Sequence, residues 1–466
     1  MLFSSIPFLY YFLPFVFILY FIVPRNWKNY VLLAFSLLFY AWGGVSYVAL
    51  MTTNILLGYA FALLISKSKR EQNRKAFLVV YVISALGLLG YYKYADFFIT
   101  NVNTILKSDF PLLKVVLPIG ISFYTFQVLS YVVDVYRKDV EVQRNPFTLA
   151  TYVSMFPQLI AGPIVRYVDV ERELKDRTHT LDKTVEGIRR FTIGFSKKIL
   201  IANALGELCD IFKSSNDKSV LFYWMYAIAF MLHIYYDFSG YSDMAIGIGK
   251  IFGFHFLENF NYPYISKSIT EFWRRWHMSL GSWFRDYVYI PLGGNRVSKF
   301  KWLLNIFVVW LLTGFWHGAS WNFIVWGLYF AVILVIEKFW LQKYLKNTGL
   351  FQHLYVLLLV CISFVIFNAV DLREAIQYIG AMFGLGEVSL VSGEAIYYLR
   401  SYFTLFLIAF LGATPVFKSL YNSMCQKKYL LNAISILEPI MIAVLLIICT
   451  AFLVDGSFNP FLYFRF

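Results

Sequence analysis

The sequence predicts an all-α polytopic membrane protein, and three observations carry that prediction. Charged residues make up only 15% of the 466 positions and hydrophobic ones 59%. A soluble domain has about 25% charged residues, so too few are present here to cover a water-facing surface. Apolar stretches recur along the whole chain, many near the roughly 20 residues that a crossing helix needs. They are continuous rather than alternating, which favours helices over barrel strands, because lipid leaves every backbone polar group to be satisfied internally.

The first stretch, "MLFSSIPFLYYFLPFVFILYFIVPRNWK", has no basic segment ahead of its apolar run and no small-residue cleavage site. It reads as a span rather than a cleaved leader. Arg25 and Lys28 follow it and hold that end in the cytoplasm, so the N-terminus is expected outside. Two more apolar segments lead to the basic cluster Lys67–Lys75, and two crossings return the chain to the same side. About eleven spans are expected from twelve apolar stretches, near roughly 5–23, 29–43, 46–65, 77–92, 115–136, 191–212, 221–251, 302–320, 322–340, 354–370, 398–416 and 432–454, not all of which need cross fully. No linker is long enough for a separate soluble domain, and no internal repeat is visible. Residues 1–466 read as one membrane domain, divided into 1–116, 117–340 and 341–466.

The net charge of +14 lies in short segments between apolar ones. That is the pattern of loops facing anionic lipid and argues against nucleic acid as a partner. Cys209, Cys361, Cys425 and Cys449 form no CxxC pair and are read as packing residues, with no disulfide framework and no metal site.

Three segments break the simple pattern. "MFPQLIAGPIVRY", Met155–Tyr167, is apolar but short and carries Pro157, Gly162 and Pro163. It reads as a re-entrant or broken segment, tolerated at membrane depth only where protein surrounds it or a cavity adjoins it. Arg166–Arg190 is charge-rich and fits a solvated segment of one or two short helices. Ser266–Arg296 is too polar to span and too aromatic for an ordinary loop. As one helix it would align Trp273, His277, Leu280 and Phe284 on one face, which suits either an interfacial helix or one dipping inward to line a cavity.

The chemistry concentrates in two histidines. From Trp302 to Ile336 the chain has 35 residues without Asp, Glu, Lys or Arg, far more than one span requires. It must break, and "TGFWHGASWN" is the polar, glycine-containing place to do so. His317 therefore sits at or near a break between two apolar helices, with small residues at 314, 318 and 319 allowing close approach of a helix or a substrate. An ionisable group inside a membrane segment is a functional-site hypothesis by default, and imidazole transfers protons near neutral pH. A histidine hydrogen-bonded between helices is the structural alternative. His277, 40 residues earlier, is the second candidate, either packed at the interface or taking part directly. Asp237 and Asp243 lie in a largely apolar region and are expected in a structural charge network, with Arg274, Arg275 and Arg285 as partners. Gly247, Gly249 and Gly253 imitate a nucleotide fingerprint, but their spacing is wrong and no strand–helix unit surrounds them. No GxSxG elbow, Walker loop, HExxH or metal-spaced set is present.

"NFNYPYISKSITEFWRRWHMSLGSWFRDYVYIPLGGNR" and "LLTGFWHGASWNFIVWGLYF" closely resemble the membrane-bound O-acyltransferases (MBOAT), most strongly the bacterial alginate O-acetyltransferase branch. "LPIGISFYTFQVLSYVVDVYR", "FPQLIAGPIVRY" and "YYDFSGYSDMAIGIGKIFGF" are similar to other blocks of that family. The resemblance implies a ring of tilted helices around a thinned core, in a bacterial inner membrane, with residues 117–340 as the catalytic core. It implies acyl transfer to a hydroxyl, with His317 and His277 as catalytic residues. The donor would be a cytoplasmic thioester, acetyl-CoA or an acyl carrier, used as substrate, with no tightly bound cofactor. The acceptor would be an extracytoplasmic polysaccharide or an intermediate protein. Donor or substrate contacts are expected from Trp273, Arg274, Arg275, Trp276, Arg285, Asp286 and Asn322, the arginines being equally suited to lipid headgroups. The teichoic acid D-alanyl transfer proteins are a related branch, and a transporter using His317 as a proton relay is the alternative from another class.

Overall fold

The computed structural model describes residues 3–159, 162–346 and 348–456. Every regular element among them is a helix and none is a strand, as an all-α polytopic chain requires. Among the described residues, seven helices are long and apolar enough to cross a membrane: Val45–Lys67, Glu71–Leu106, Lys299–His317, Trp321–Leu345, Leu350–Asn368, Gly393–Gly412 and Lys428–Asp455. The remaining apolar stretches are helical too, but shorter or more polar. Lys28–Ala41, for example, stops after 14 residues because Gly43 and Gly44 turn the chain, Gly44 at a φ of 151° that a side chain would resist.

The chain packs into two compact units, Met1–Phe191 with Tyr241–Leu257, and Thr192–Gly240 with Glu258–Phe466. One helix, Val220–Ile251, begins in the second and ends in the first.

In the first unit, Val45–Lys67 and Ile121–Arg137 pack closely because Gly58 has no side chain. A Cβ there would lie 2.2 Å from a methyl of Val128. The segment expected to be broken is broken. Helix Pro146–Ser154 ends at Met155, a short helix Phe156–Leu159 follows, and the chain is irregular again from Gly162 to Arg166. Ile160 and Ala161 lie outside the described residues. The irregular backbone is enclosed by protein, and the Val165 carbonyl accepts from Tyr152 Oη at 3.0 Å and Gln127 Nε2 at 3.4 Å, which is how such a segment avoids unpaired polar groups. The charge-rich stretch forms helices Tyr167–Lys175 and Leu181–Ser196. The glycines of the false fingerprint serve packing: a Cβ at Gly247 would be 2.6 Å from the Gly187 carbonyl, one at Gly249 2.7 Å from the Phe256 ring, and Gly253 turns the chain at a φ of 86°.

In the second unit, residues 231–240 of helix Val220–Ile251 are buried on every face, with the polar His233 and Asp237 meeting the Ala202 carbonyl and Lys198 as burial requires. At the other extreme, Lys428–Asp455 buries only Cys449 and presents its apolar surface outward. Between these lies a helical hairpin, Lys299–His317 and Trp321–Ile336. The charge-free run breaks at Gly318–Ser320, as its length demanded. Gly314 and Gly327 approach each other across the hairpin, where a Cβ on either would lie 3.2–3.3 Å from the other's Cα. A Cβ at Gly314 would fall 2.3 Å from the Phe323 carbonyl, and one at Gly327 2.3 Å from that of Trp310. The small residues therefore serve the approach of the second helix.

Candidate active site

His317 is the last residue of helix Lys299–His317, and Gly318 follows in extended backbone. Its half-buried ring lies edge-on to three aromatic rings, Trp316 and Trp326 at 5.0 Å and Phe367 at 5.3 Å. Protein rings thus adjoin the half-buried imidazole. Asn322, in the first turn of the next helix, brings Phe367 there. Its Nδ2 donates to the Ala369 carbonyl at 2.9 Å, joining this helix to the end of Leu350–Asn368. The Asn322 Oδ1 is buried with no hydrogen-bond partner.

His277 also adjoins Trp316, ring centroid to ring centroid 6.1 Å. The two candidate histidines are thus brought together in one unit around one indole. The local backbone departs from the expected continuous helix. Ile269–Arg275 and Met278–Phe284 are separate helices, and His277 joins them in the left-handed region at φ 44°. The single face of Trp273, His277, Leu280 and Phe284 therefore does not form. A left-handed, non-glycine residue costs about 1–2 kcal/mol, and here Asn259 offsets it. The Asn259 carbonyl accepts from Met278 N at 3.0 Å. Its side-chain Oδ1 accepts from Ser279 Oγ at 2.9 Å, Ser279 N at 3.3 Å and His277 Nδ1 at 3.1 Å.

That arrangement fixes the imidazole tautomer. A backbone N–H only donates, so the Asn259 atom it meets is the oxygen. An amide oxygen only accepts, so Nδ1 of His277 carries the proton. Its Nε2 presents a lone pair, buried and without a hydrogen-bond partner. His277 is 2% exposed, and burial brings its pKa down to about 3, because a charge there would be unsolvated. The group is a neutral acceptor at ordinary pH. The Phe238 ring, 4.7 Å away and edge-on, closes one side.

The remaining expected contacts divide. Trp273 packs against Trp310, Trp326 and Phe330 at 4.7, 5.6 and 4.8 Å, with its indole Nε1 buried and unbonded. It shares Trp326 with His317 and so adjoins the site. Trp276 is a core residue, stacked on Phe272 at 5.6 Å and against Phe364 at 5.2 Å. Arg275 pairs with Glu271 at 2.9 Å and Arg285 with Asp286 at 2.7 Å, while Arg274 is exposed. Asp237 and Asp243 do enter charge pairs, but with other partners than the expected arginines. Asp237 meets Lys198 at 2.6 Å, both 2% exposed, and, within the first unit, Asp243 meets Arg190 at 2.6 Å. Asn259, Ser279 and Phe367 escaped the sequence reading. Asn259 precedes His277 by 18 residues across a turn, and no spacing rule joins them.

Comparison with known proteins shows the family. The MBOAT, membrane-bound O-acyltransferase family matches residues 7–369, which include both histidines. The chain is 43% identical over 396 residues to "Probable alginate O-acetylase AlgI" of Azotobacter vinelandii, covering 84% of this chain and 79% of that one. It is 39% identical to the protein of the same name from Pseudomonas putida over the full length of both. It is 35% identical to "Peptidoglycan O-acetyltransferase" of Helicobacter pylori over 100% of this chain and 98% of the relative. A match over most of the chain, joined to an all-helical membrane architecture, settles the assignment: this chain belongs to the membrane-bound O-acyltransferase family and is an O-acyltransferase.

Proposed function

We propose that the chain moves an acyl group, acetyl by its likeness to the O-acetylases, from a cytoplasmic thioester to a hydroxyl outside the membrane. The acceptor is an exported polysaccharide or a protein that passes the group onward, and the chain sits in a bacterial inner membrane with its N-terminus outside. The names of the relatives support the polymer class. The observation that carries the chemistry is the pair of imidazoles that both adjoin Trp316.

In this reading His317 is the general base. It takes the proton of the acceptor hydroxyl as the oxygen attacks the thioester carbonyl. The C–O bond forms, the C–S bond breaks, and the proton passes from His317 to the leaving thiolate, so no outside co-reactant is needed. The C-terminal end of helix Lys299–His317 carries partial negative charge, which favours the positive charge that develops on the ring. His277 orients a neighbouring donor group of the acceptor, such as a second hydroxyl, and leaves the attacking hydroxyl's proton to His317. Its Nδ1 bond to Asn259 supports an accepting Nε2, and its low pKa argues against proton donation. The aromatic walls exclude water and protect the thioester from hydrolysis. Asn322 Oδ1, Trp273 Nε1 and Trp326 Nε1 are among the buried, unbonded polar groups of the surroundings that suit donor or acceptor contacts.

The test is His317→Ala at unchanged membrane abundance, with ester groups on exported polymer released by mild base and identified. Loss of ester-linked acetate is the expected result. Released D-alanine in the unaltered strain would instead assign the teichoic acid branch. Retained ester with altered proton flux would assign the transporter reading.

A further inference from the structure

In the first unit, the turn Arg25–Tyr30 and the segment Leu174–His179 enclose a cleft of about 230 Å³. Four cations line it. Two are neutralised, Arg25 by Asp176 and Lys175 by Glu171 at 2.8 Å. The other two, Lys28 and Arg177, have no carboxylate partner among the described residues. Lys28 Nζ donates to the Tyr20 carbonyl at 2.9 Å and lies 4.3 Å above the Tyr20 ring. Arg177 donates through Nε to Tyr20 Oη at 2.8 Å, and through Nη1 to Asn29 Oδ1 at 2.7 Å and the Glu173 carbonyl at 3.2 Å. Its Nη2 is buried with no hydrogen-bond partner. Every acceptor is neutral. Next to them, burial and the charges of Lys28 and Arg177 hold the His179 pKa below its usual value.

Two neighbouring cations fixed by neutral dipoles repel each other and stabilise nothing by themselves. They become favourable when an anion enters. Helix Lys28–Ala41 begins in the same cleft with no side-chain cap at Trp27, and a helix N-terminus adds partial positive charge and oriented N–H groups. The Arg177 guanidinium lines the cleft, steadied by Asn29 and Tyr20 and lying 4.6 Å over the Phe254 ring, and a guanidinium so placed suits the tetrahedral oxygens of a phosphate.

We propose that this cleft binds a phosphate-bearing anion, gripped by Lys28 and Arg177 at the start of helix Lys28–Ala41. Two sources share that chemistry, the phosphates of a nucleotide-type acyl carrier and the phosphodiester headgroup of an anionic lipid. The carrier source rests on the proposed thioester donor and the lipid source does not, and because binding is measured without turnover the two readings fail separately.

The experiment uses the full chain in detergent with two probes, coenzyme A by calorimetric titration and phosphatidylglycerol by retention in native mass spectrometry. Lys28→Gln and Arg177→Gln are each expected to weaken one probe at least 10-fold. Lys69→Gln, an equal charge change at an exposed basic residue, is expected to change either less than 2-fold. Selective loss of coenzyme A assigns the carrier, and selective loss of phosphatidylglycerol assigns the lipid. Unchanged binding of both probes, or an equal loss in Lys69→Gln, overturns the site. Inorganic pyrophosphate added to the unaltered protein gives a reading free of folding defects. It should slow amide exchange in 25–30 and 175–179 at least 3-fold, and no protection there overturns the proposal.

Discussion

Asn259 Oδ1 accepts the Nδ1 proton of His277 at 3.1 Å while also holding the N–H and hydroxyl of Ser279. One amide thereby sets both the tautomer of the imidazole and the left-handed turn that aims it. Asn259→Ala leaves the buried Nδ1–H unmatched, at a cost of about 1–3 kcal/mol. Turnover of the purified protein is expected to fall about 10- to 100-fold. Asn259→Asp, which keeps the acceptor oxygens, should retain more activity than Asn259→Ala; the reverse order would contradict the assigned tautomer.

The buried His277 also makes stability depend on pH. Its folded pKa, about 3, lies below the ordinary 6.5, so between these values the unfolded chain binds the extra proton. Stability is therefore full above about 6.5 and falls as pH drops toward 3. Melting temperatures in detergent at pH 7.5 and 5.0 should show the decline, and His277→Gln should flatten it. A slope unchanged by that substitution would place its origin elsewhere.

Lys198 and Asp237 are paired inside the second unit with almost no exposure. Removing one partner leaves a buried charge, at a cost of about 3–5 kcal/mol. Lys198→Met alone is expected to lower membrane abundance severely. Lys198→Met with Asp237→Leu should recover most of it, and a double variant no better than the single one would mean the pair does more than balance charge.

The hairpin that carries His317 depends on the close approach of two glycines. Gly327→Ala forces a methyl against the Trp310 carbonyl, and overpacking of this kind costs about 1–3 kcal/mol. A lower melting temperature with a smaller rate loss than Asn259→Ala is expected, checked by thermal denaturation beside initial rates.

How far the sequence could be read follows from these same residues. The break beside His317 was legible because a charge-free run longer than one span has to turn, and glycines marked where. The broken segment after Met155 was legible from its prolines. The partners of Asp237 and Asp243 were not. The arginines in "WRRWH" look like natural counter-ions, yet Lys198 and Arg190, in or beside apolar turns, hold those places. The break at His277 was hidden too. Periodicity assumes a continuous helix, whereas a left-handed residue there exists only because Asn259 stabilises it from outside the helix. Tertiary contacts that override local pattern leave no mark in spacing.

The most direct measurement is a single-turnover assay with purified protein, a radiolabelled acetyl thioester and a hydroxyl acceptor, comparing the unaltered chain with His317→Ala at matched folding. A base in this role contributes about 10²–10⁴-fold, so the variant should form ester at least 100-fold more slowly while its thioester binding is kept. Ester formation by His317→Ala at the unaltered rate would contradict the account at its centre.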